Sequence, residues 1–358
     1  MVNKHSMSRR TLLSGAACLA GGGLLGAASV PSTKAQTTSA SAGESKIWSK
    51  EYWAKKGDVS LYLFRKRMGN PADDQAPRPI LFLAHGSSVS SRPTFDLTVP
   101  GHDDEYSLMD RFARYGFDVW TMDFEGYGHS SRGTGNSDVA AGADDLKAAS
   151  EVVLRETGQP RFHLYGESGG ALRAGVFAMN QPQLVDRLVF IGFTWTGQGS
   201  RTLAKRAQQV EYYRTHNRRP RDRNMIRSIF TRDKPGTSDP AVAEAMADAE
   251  LKFGDTAPTG TYLDMTTKLP LVDPLKLEAP VMIARGEYDG IATEADLLNF
   301  FQKLPVPDRE FVVLPGASHA IALGTNRRQF WHVLRSFLEM PPRLDLAAAT
   351  DTGGHTRQ

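Results

Sequence analysis

Gly166-Glu167-Ser168-Gly169-Gly170 sets a serine between glycines, after the apolar run Phe162–Tyr165 and before the helical pattern Gly169–Asn180. A strand, a very tight turn and a helix are the context of a nucleophile elbow, which exposes the serine oxygen at the sheet edge above a helix N-terminus. Glycines two positions either side remove bulk that would clash with the flanking elements. A serine hydroxyl attacks a carbonyl only if a base takes its proton, a carboxylate orients that base and N–H donors meet the oxyanion. Candidates for those parts lie just beyond other predicted strands. His319 ends Leu314-Pro315-Gly316-Ala317-Ser318-His319, Asp289 ends Arg285-Gly286-Glu287-Tyr288-Asp289, and His85-Gly86-Ser87-Ser88 follows Ile80–Ala84. Open α/β sheets place ligands beyond such strand ends.

Other chemistry-bearing residues fit quieter roles. His163 sits inside the strand before Ser168 and reads as a core or hydrogen-bonding residue, while His216 and His332 fall on helix faces and His5 and His355 near the termini. Glu287 is a rival acid two residues short of Asp289. Asp123-Phe-Glu-Gly-Tyr-Gly-His-Ser130 has the turn glycines of a structural loop. His102-Asp103-Asp104 lacks further ligands at useful spacing and reads as a polar surface loop. No G-x-G-x-x-G opens the first strand–helix turn and no P-loop occurs, so a cofactor-free enzyme without a metal is expected.

The elements that must position these residues alternate along the chain. Val59–Phe64, Ile80–Ala84, Phe117–Met122, Phe162–Tyr165, Leu188–Phe193, Pro280–Arg285 and Phe311–Leu314 read as strands. Helical periodicity marks Glu105–Tyr115, Ser137–Thr157, Gly169–Asn180, Thr293–Lys303 and Asn326–Glu339. Strands separated by helices imply βαβ units, right-handed crossovers and a mostly parallel central sheet flanked by helices. Residues 196–278 break the alternation; a structureless loop of that length is improbable in a compact domain, so a helical cap over the sheet edge is expected.

These residues together resemble the α/β-hydrolase superfamily over roughly Val59 to Glu339. The resemblance implies the order nucleophile, acid, histidine, and so Ser168, Asp289 and His319 as the catalytic triad. It implies the backbone N–H groups of Ser87 and Gly169 as the oxyanion hole, with His85 a hydrogen-bonding loop residue. It further implies an acyl-enzyme hydrolase acting on a small-molecule carboxylic ester. Lactonase, amidase, C–C bond hydrolase or cofactor-free perhydrolase chemistry could use the same triad. A noncatalytic binding protein of this fold is the rival of another class. An elbow serine argues against the branches that use aspartate there.

Composition bounds the remainder. Hydrophobic residues at 40% and charged residues at 23% suit a soluble globular chain. Residues 1–35 carry Lys4, Arg9, Arg10 and Lys34 and no acid, so without them the formal charge moves from +3 to −1, which argues against a nucleic-acid partner. Ser8-Arg9-Arg10-Thr11-Leu12-Leu13, the Ala/Gly-rich run to Val30 and Thr33-Lys34-Ala35, with small residues near a cleavage point, resemble a bacterial twin-arginine (Tat) signal. The resemblance implies the Tat machinery as a partner through residues 8–13, a periplasmic or secreted protein, and no transmembrane segment in the mature form. Cys18, the single cysteine, would leave with that signal, which excludes thiol nucleophiles and cysteine metal sites from the rest. A polar linker at 36–46, a hydrolase domain at 47–340 and a frayed tail at 341–358 complete the expected organisation. Within the cap, Arg201 to Lys234 carries eleven basic residues against Glu211, Asp222 and Asp233. That run reads as a solvated helix face or as a basic lid for anionic substrates. Trp195, Tyr212, Tyr213 and Phe230 are the aromatic candidates for the substrate pocket.

Overall fold

The computed structural model describes residues 46–341 except 75, 103 and 104. The twin-arginine segment, Cys18, the linker up to residue 45, Asp103, Asp104 and the tail beyond 341 lie outside the described residues.

The body starts with β1 (Ile47–Lys56), β2 (Val59–Met68), β3 (Ile80–Ala84), α1 (Ser91–Phe95), α2 (Leu108–Arg114) and β4 (Asp118–Met122). It continues through α3 (Val139–Thr157), β5 (Phe162–Glu167), α4 (Gly169–Asn180) and β6 (Val185–Ile191). The chain then builds the cap from α5 (Arg201–Ala207), α6 (Val210–Thr215), β7 (Arg218–Pro220), α7 (Arg223–Thr231), α8 (Pro240–Glu250), β8 (Thr256–Pro258) and α9 (Gly260–Thr267). It returns to the body as β9 (Val281–Gly286), α10 (Glu294–Lys303), β10 (Arg309–Leu314) and α11 (Arg327–Leu338).

Among the described residues, eight strands form one sheet in the order β1-β2-β4-β3-β5-β6-β9-β10. From β4 to β10 every neighbour pair is parallel, and β1 and β2 add an antiparallel edge. Strands β3, β4 and β9 are buried throughout because helices cover both faces, which is why β3 reads as an unbroken apolar run and β4 and β9 as mainly apolar ones. Leu146 and Val153 of α3, Leu172 and Phe177 of α4 and Phe300 of α10 fill one face. Met109 and Phe112 of α2 and Phe330, Trp331 and Leu334 of α11 fill the other. The long α3 starts at Asp138, whose side chain accepts from the Ala141 N–H, and stops at the left-handed Gly158.

The cap has a core of its own. Ile226 and Phe230 of α7 and Val242 and Met246 of α8 pack with Val89, Leu97 and Tyr106 of the body and with Ala320 and Leu323 just past His319. β7 and β8 pair as a short antiparallel ribbon. Neither that ribbon nor β1 is legible as a strand: β7 is Arg218-Arg219-Pro220, and β1 carries the charged residues common on a sheet edge.

Candidate active site

Ser168 stands between β5 and α4 with φ +55° and ψ −120°, a strained conformation for a residue with a side chain. Its N–H donates to Ile191 O at 2.7 Å, tying the elbow to the end of β6. The close return of α4 needs glycine at 166, where a Cβ would come within 2.6 Å of Ala171 Cα.

Asp289 lies in the turn after β9. Its Oδ1 accepts from the N–H groups of Ile291 at 2.9 Å and Ala292 at 3.1 Å, and Oδ2 meets His319 Nδ1 at 2.8 Å. Burial pushes this carboxyl up, but the adjacent imidazole and the backbone donors outweigh it and hold it below the usual aspartate range. An ionised Asp289 fixes the His319 proton on Nδ1 and leaves Nε2 as the basic nitrogen. Glu287 does something else: it is exposed, and its Oε2 accepts from the Gly316 N–H at 2.8 Å, bracing the loop that leads to His319. The imidazole has room because residue 192 is glycine. At φ +56°, any Cβ there would sit 2.7 Å from His319 Cε1. Gly192 is thus a functional position that sequence reading passes over; its only signal is a glycine immediately after an apolar strand.

The loop after β3 crosses above Ser168. His85 is buried, with Nδ1 donating to Gly86 O at 2.7 Å and Nε2 accepting from the Phe124 N–H at 3.2 Å. Burial drives its pKa down to about 4, in keeping with the neutral tautomer those bonds require. Ser87 packs against Gly169, which brings the two expected oxyanion donors side by side. Ser87 Oγ is buried and has no hydrogen-bond partner among the described residues.

Two carboxylates hold the rest of this loop. Asp123 Oδ1 accepts from Ser91 N at 2.8 Å and Ser91 Oγ at 2.7 Å, which gives the D-x-x-G-x-G-x-S loop a bracing role. From the cap, Glu250 Oε2 accepts from Ser90 N at 2.9 Å and from Ser90 Oγ at 2.5 Å. Glu250 is itself ion-paired with Arg221, whose Nη1 also donates to Ser88 O at 3.3 Å. Both side chains are buried. This pair has no sequence signal, since its members sit on different cap elements far from the loop they hold.

Ser168 and His319 line one narrow cleft of about 50 Å3, open to solvent, together with Ser87, Ser88, Glu167, Val89, Arg206, Ile229, Arg232, Met246 and Leu323. Glu167 accepts from Tyr165 Oη at 3.1 Å, and burial raises its pKa. The aromatic candidates face elsewhere. Trp195 packs against the body core, its indole N–H donating to Val272 O and its ring meeting Phe300 at 5.8 Å. Tyr212 stacks on His216 and donates to Arg218 O, Tyr213 is buried with its hydroxyl on Gln209, and Phe230 belongs to the cap core. These four aromatics do not line the cleft, although the Tyr213 ring packs 5.6 Å from Tyr262. No cluster among the described residues could hold a metal ion, and no described helix is long and apolar enough to cross a membrane.

The arrangement suits nucleophilic attack on a carbonyl, and comparison with known proteins supports a hydrolase of the α/β-hydrolase fold. Over 122 residues, 34% of this chain, the sequence is 34% identical to the 2-hydroxy-6-oxononadienedioate/2-hydroxy-6-oxononatrienedioate hydrolase of Paraburkholderia phymatum. That match spans 38% of the relative. The structure is similar to a bromoperoxidase from Bacillus anthracis, with a TM-score of 0.60 and 17% identity over 81% of this chain and 100% of the other. It is also similar to a thermophilic esterase from Thermogutta terrifontis, with a TM-score of 0.57 and 19% identity over 81% and 98%. Both solved structures share the α/β-hydrolase fold. The family described as serine aminopeptidase, S33, matches residues 102–326, more than half of the sequence, and the chain belongs to this family of α/β-hydrolase-fold enzymes.

Proposed function

We propose that this hydrolase cleaves carboxylic esters through an acyl-enzyme on Ser168. One observation carries the reading: the strained Ser168, the His319–Asp289 pair at 2.8 Å and the Ser87–Gly169 contact meet at a single cleft. In this reading Ser168 Oγ attacks the ester carbonyl while His319 Nε2 takes its proton. Asp289 stabilises the imidazolium, and the N–H groups of Ser87 and Gly169 bind the oxyanion, with the unpartnered Ser87 hydroxyl as a third donor. Collapse of the tetrahedral adduct breaks the bond to the alcohol, which leaves with the proton from His319. Water, deprotonated by the same histidine, then attacks the acyl carbon and frees Ser168.

A fluorophosphonate probe tests this directly. One covalent adduct per chain, mapped to Ser168 and abolished in Ser168→Ala, is expected; an intact wild type without an adduct would sink the proposal. A second reading, hydrolysis of a C–C bond beside a ketone, is favoured by the stretch shared with the curated dienedioate hydrolase. Turnover of a 2-hydroxy-6-oxodienoate with higher kcat/KM than any ester in a panel of varied acyl length would select it.

A further inference from the structure

Arg206 projects from α5 into the cleft that holds Ser87, Ser88, Ser168 and His319. Its guanidinium lies over the Tyr262 ring, 4.6 Å from the centroid, and Nη1 approaches Met265 Sδ at 3.8 Å. No carboxylate pairs with it among the described residues. Its neighbours deepen the charge imbalance. Arg219 donates to Tyr262 Oη at 3.0 Å, and Arg232 lines the same cleft with its Nε 3.6 Å from Asp233. Burial, followed by the fields of Arg232 and Arg219, lowers the Arg206 pKa to about 10. Tyr262 closes the cluster, its hydroxyl 2.6 Å from Ser88 Oγ on the loop above the nucleophile.

Of the other arginines in the basic run, Arg214 pairs with Glu211, Arg221 with Glu250, Arg223 with Glu244 and Asp248, and Arg227 with Glu244, while Arg218 donates to Gly126 O and Thr256 O. Arg206 differs in lining the Ser168 cleft with no carboxylate partner among the described residues. The acid that shares the cleft, Glu167, accepts from Tyr165 and is pushed toward its neutral form by burial. A half-buried guanidinium without an anion is unfavourable, and its planar fork is the best protein group for gripping a carboxylate with two hydrogen bonds. A substrate that brings its own carboxylate supplies the missing charge.

We propose that Arg206, flanked by Arg232, is the subsite for a carboxylate carried by the substrate, so that the enzyme selects half-esters of dicarboxylic acids or esters of carboxylate-bearing alcohols. The assignment rests on the ester-hydrolase reading above for its catalytic part, but not for binding. The kinetic test compares mono-4-nitrophenyl adipate with 4-nitrophenyl hexanoate, which place charge or no charge on the acyl side. The acetates of 4-hydroxybenzoate and of its methyl ester do the same on the alcohol side. In one of the two pairs the charged ester is expected to have the higher kcat/KM, by at least about tenfold, with the advantage shrinking as salt rises. That pair also tells which half of the substrate lies beneath the cap. Arg206→Gln is expected to lower kcat/KM for the favoured charged ester about 10- to 100-fold more than for its neutral partner, and Arg206→Lys to retain part of the preference. Equal losses on charged and neutral esters, or no charge preference in the wild type, would overturn the assignment.

Calorimetry separates this from the catalytic reading. Adipate is expected to bind Ser168→Ala protein, and its affinity is expected to drop at least tenfold in the Ser168→Ala/Arg206→Gln double variant. If adipate binds in that way while no ester is turned over, the subsite stands and the ester reading falls. If esters are turned over but adipate does not bind, the reverse holds.

Discussion

At the C-terminal edge of the sheet, the candidate catalytic side chains are held by backbone and by one another. Ser168 is locked by its φ and by the Ile191 carbonyl, Asp289 by two N–H groups, and His319 by Asp289 and the space at Gly192. Across the cleft, the cap offers Arg206, Ile229, Arg232 and Met246 from helices whose fit to the body depends on side-chain packing. The geometry of the first region is fixed by strands buried on both faces. The second can exchange cleft residues while its own core persists. In the proposed reading, chemistry lies on the rigid edge and choice of substrate on the cap, with one crossing point: the cap's Glu250 and Arg221 hold the loop expected to carry the oxyanion donors.

Three measurements would break or sharpen that division. The largest effect is expected at the sheet edge, where Ser168→Ala and His319→Ala should each lower ester turnover by at least about 10³-fold for every substrate alike. Asp289→Asn should cost nearly as much, while Glu287→Gln, which only loosens the Gly316 contact, should cost less than about tenfold. A larger loss in Glu287→Gln would move the acid two residues along the chain. A substrate-dependent loss at Ser168 would break the division itself.

The crossing point should show an intermediate effect. Arg221→Met alone strands a buried carboxylate and is expected to cost about 3–5 kcal/mol of stability, read as a lower Tm. Arg221→Met with Glu250→Leu removes both charges and should restore much of the Tm. The Ser90 N–H would still lack its acceptor, so kcat should remain about tenfold down in the double variant. Full recovery of kcat along with Tm would reduce the pair to a structural contact.

The smallest effect is a pH signature confined to the loop. His85 has its folded pKa lowered from 6.5 to about 4, so below 6.5 the unfolded chain binds a proton that the folded loop refuses. Its stabilising contribution is therefore complete above pH 6.5 and lost as pH falls toward 4, roughly 3 kcal/mol in all. His85→Asn should flatten the slope of Tm against pH in that window. An unchanged slope would shift the cause to His163, which burial also lowers to about 4.

The fold and the candidate catalytic residues were legible for one physical reason. Parallel strands buried on both faces announce themselves as apolar runs, and ligand-binding residues follow their ends. Thus β3 and α4 start and stop where hydrophobic periodicity places them, and Ser168, Asp289 and His319 follow β5, β9 and β10. The cap hides its logic. Tyr212, Tyr213 and Trp195 are large and amphipathic, which fits a pocket wall and a packed interior equally well, and only tertiary contacts sort one from the other. Arg206 sits in a run of similar basic residues, distinguished by a place in the Ser168 cleft that no sequence spacing reveals. Glu250, at the end of an alanine-rich helix, meets Ser90 across 160 residues of chain.

The grip of Glu250 and Arg221 on residues 88–90 also bears on inheritance. Caps of this kind look like modules that could be traded between relatives by cutting after β6 and before β9. Here such a trade would carry away the acceptor for Ser90 and the donor for Ser88 and leave the nucleophile's partner loop slack. In this chain the cap and the turn after β3 are held as one structural unit, and a chimera must transplant them together.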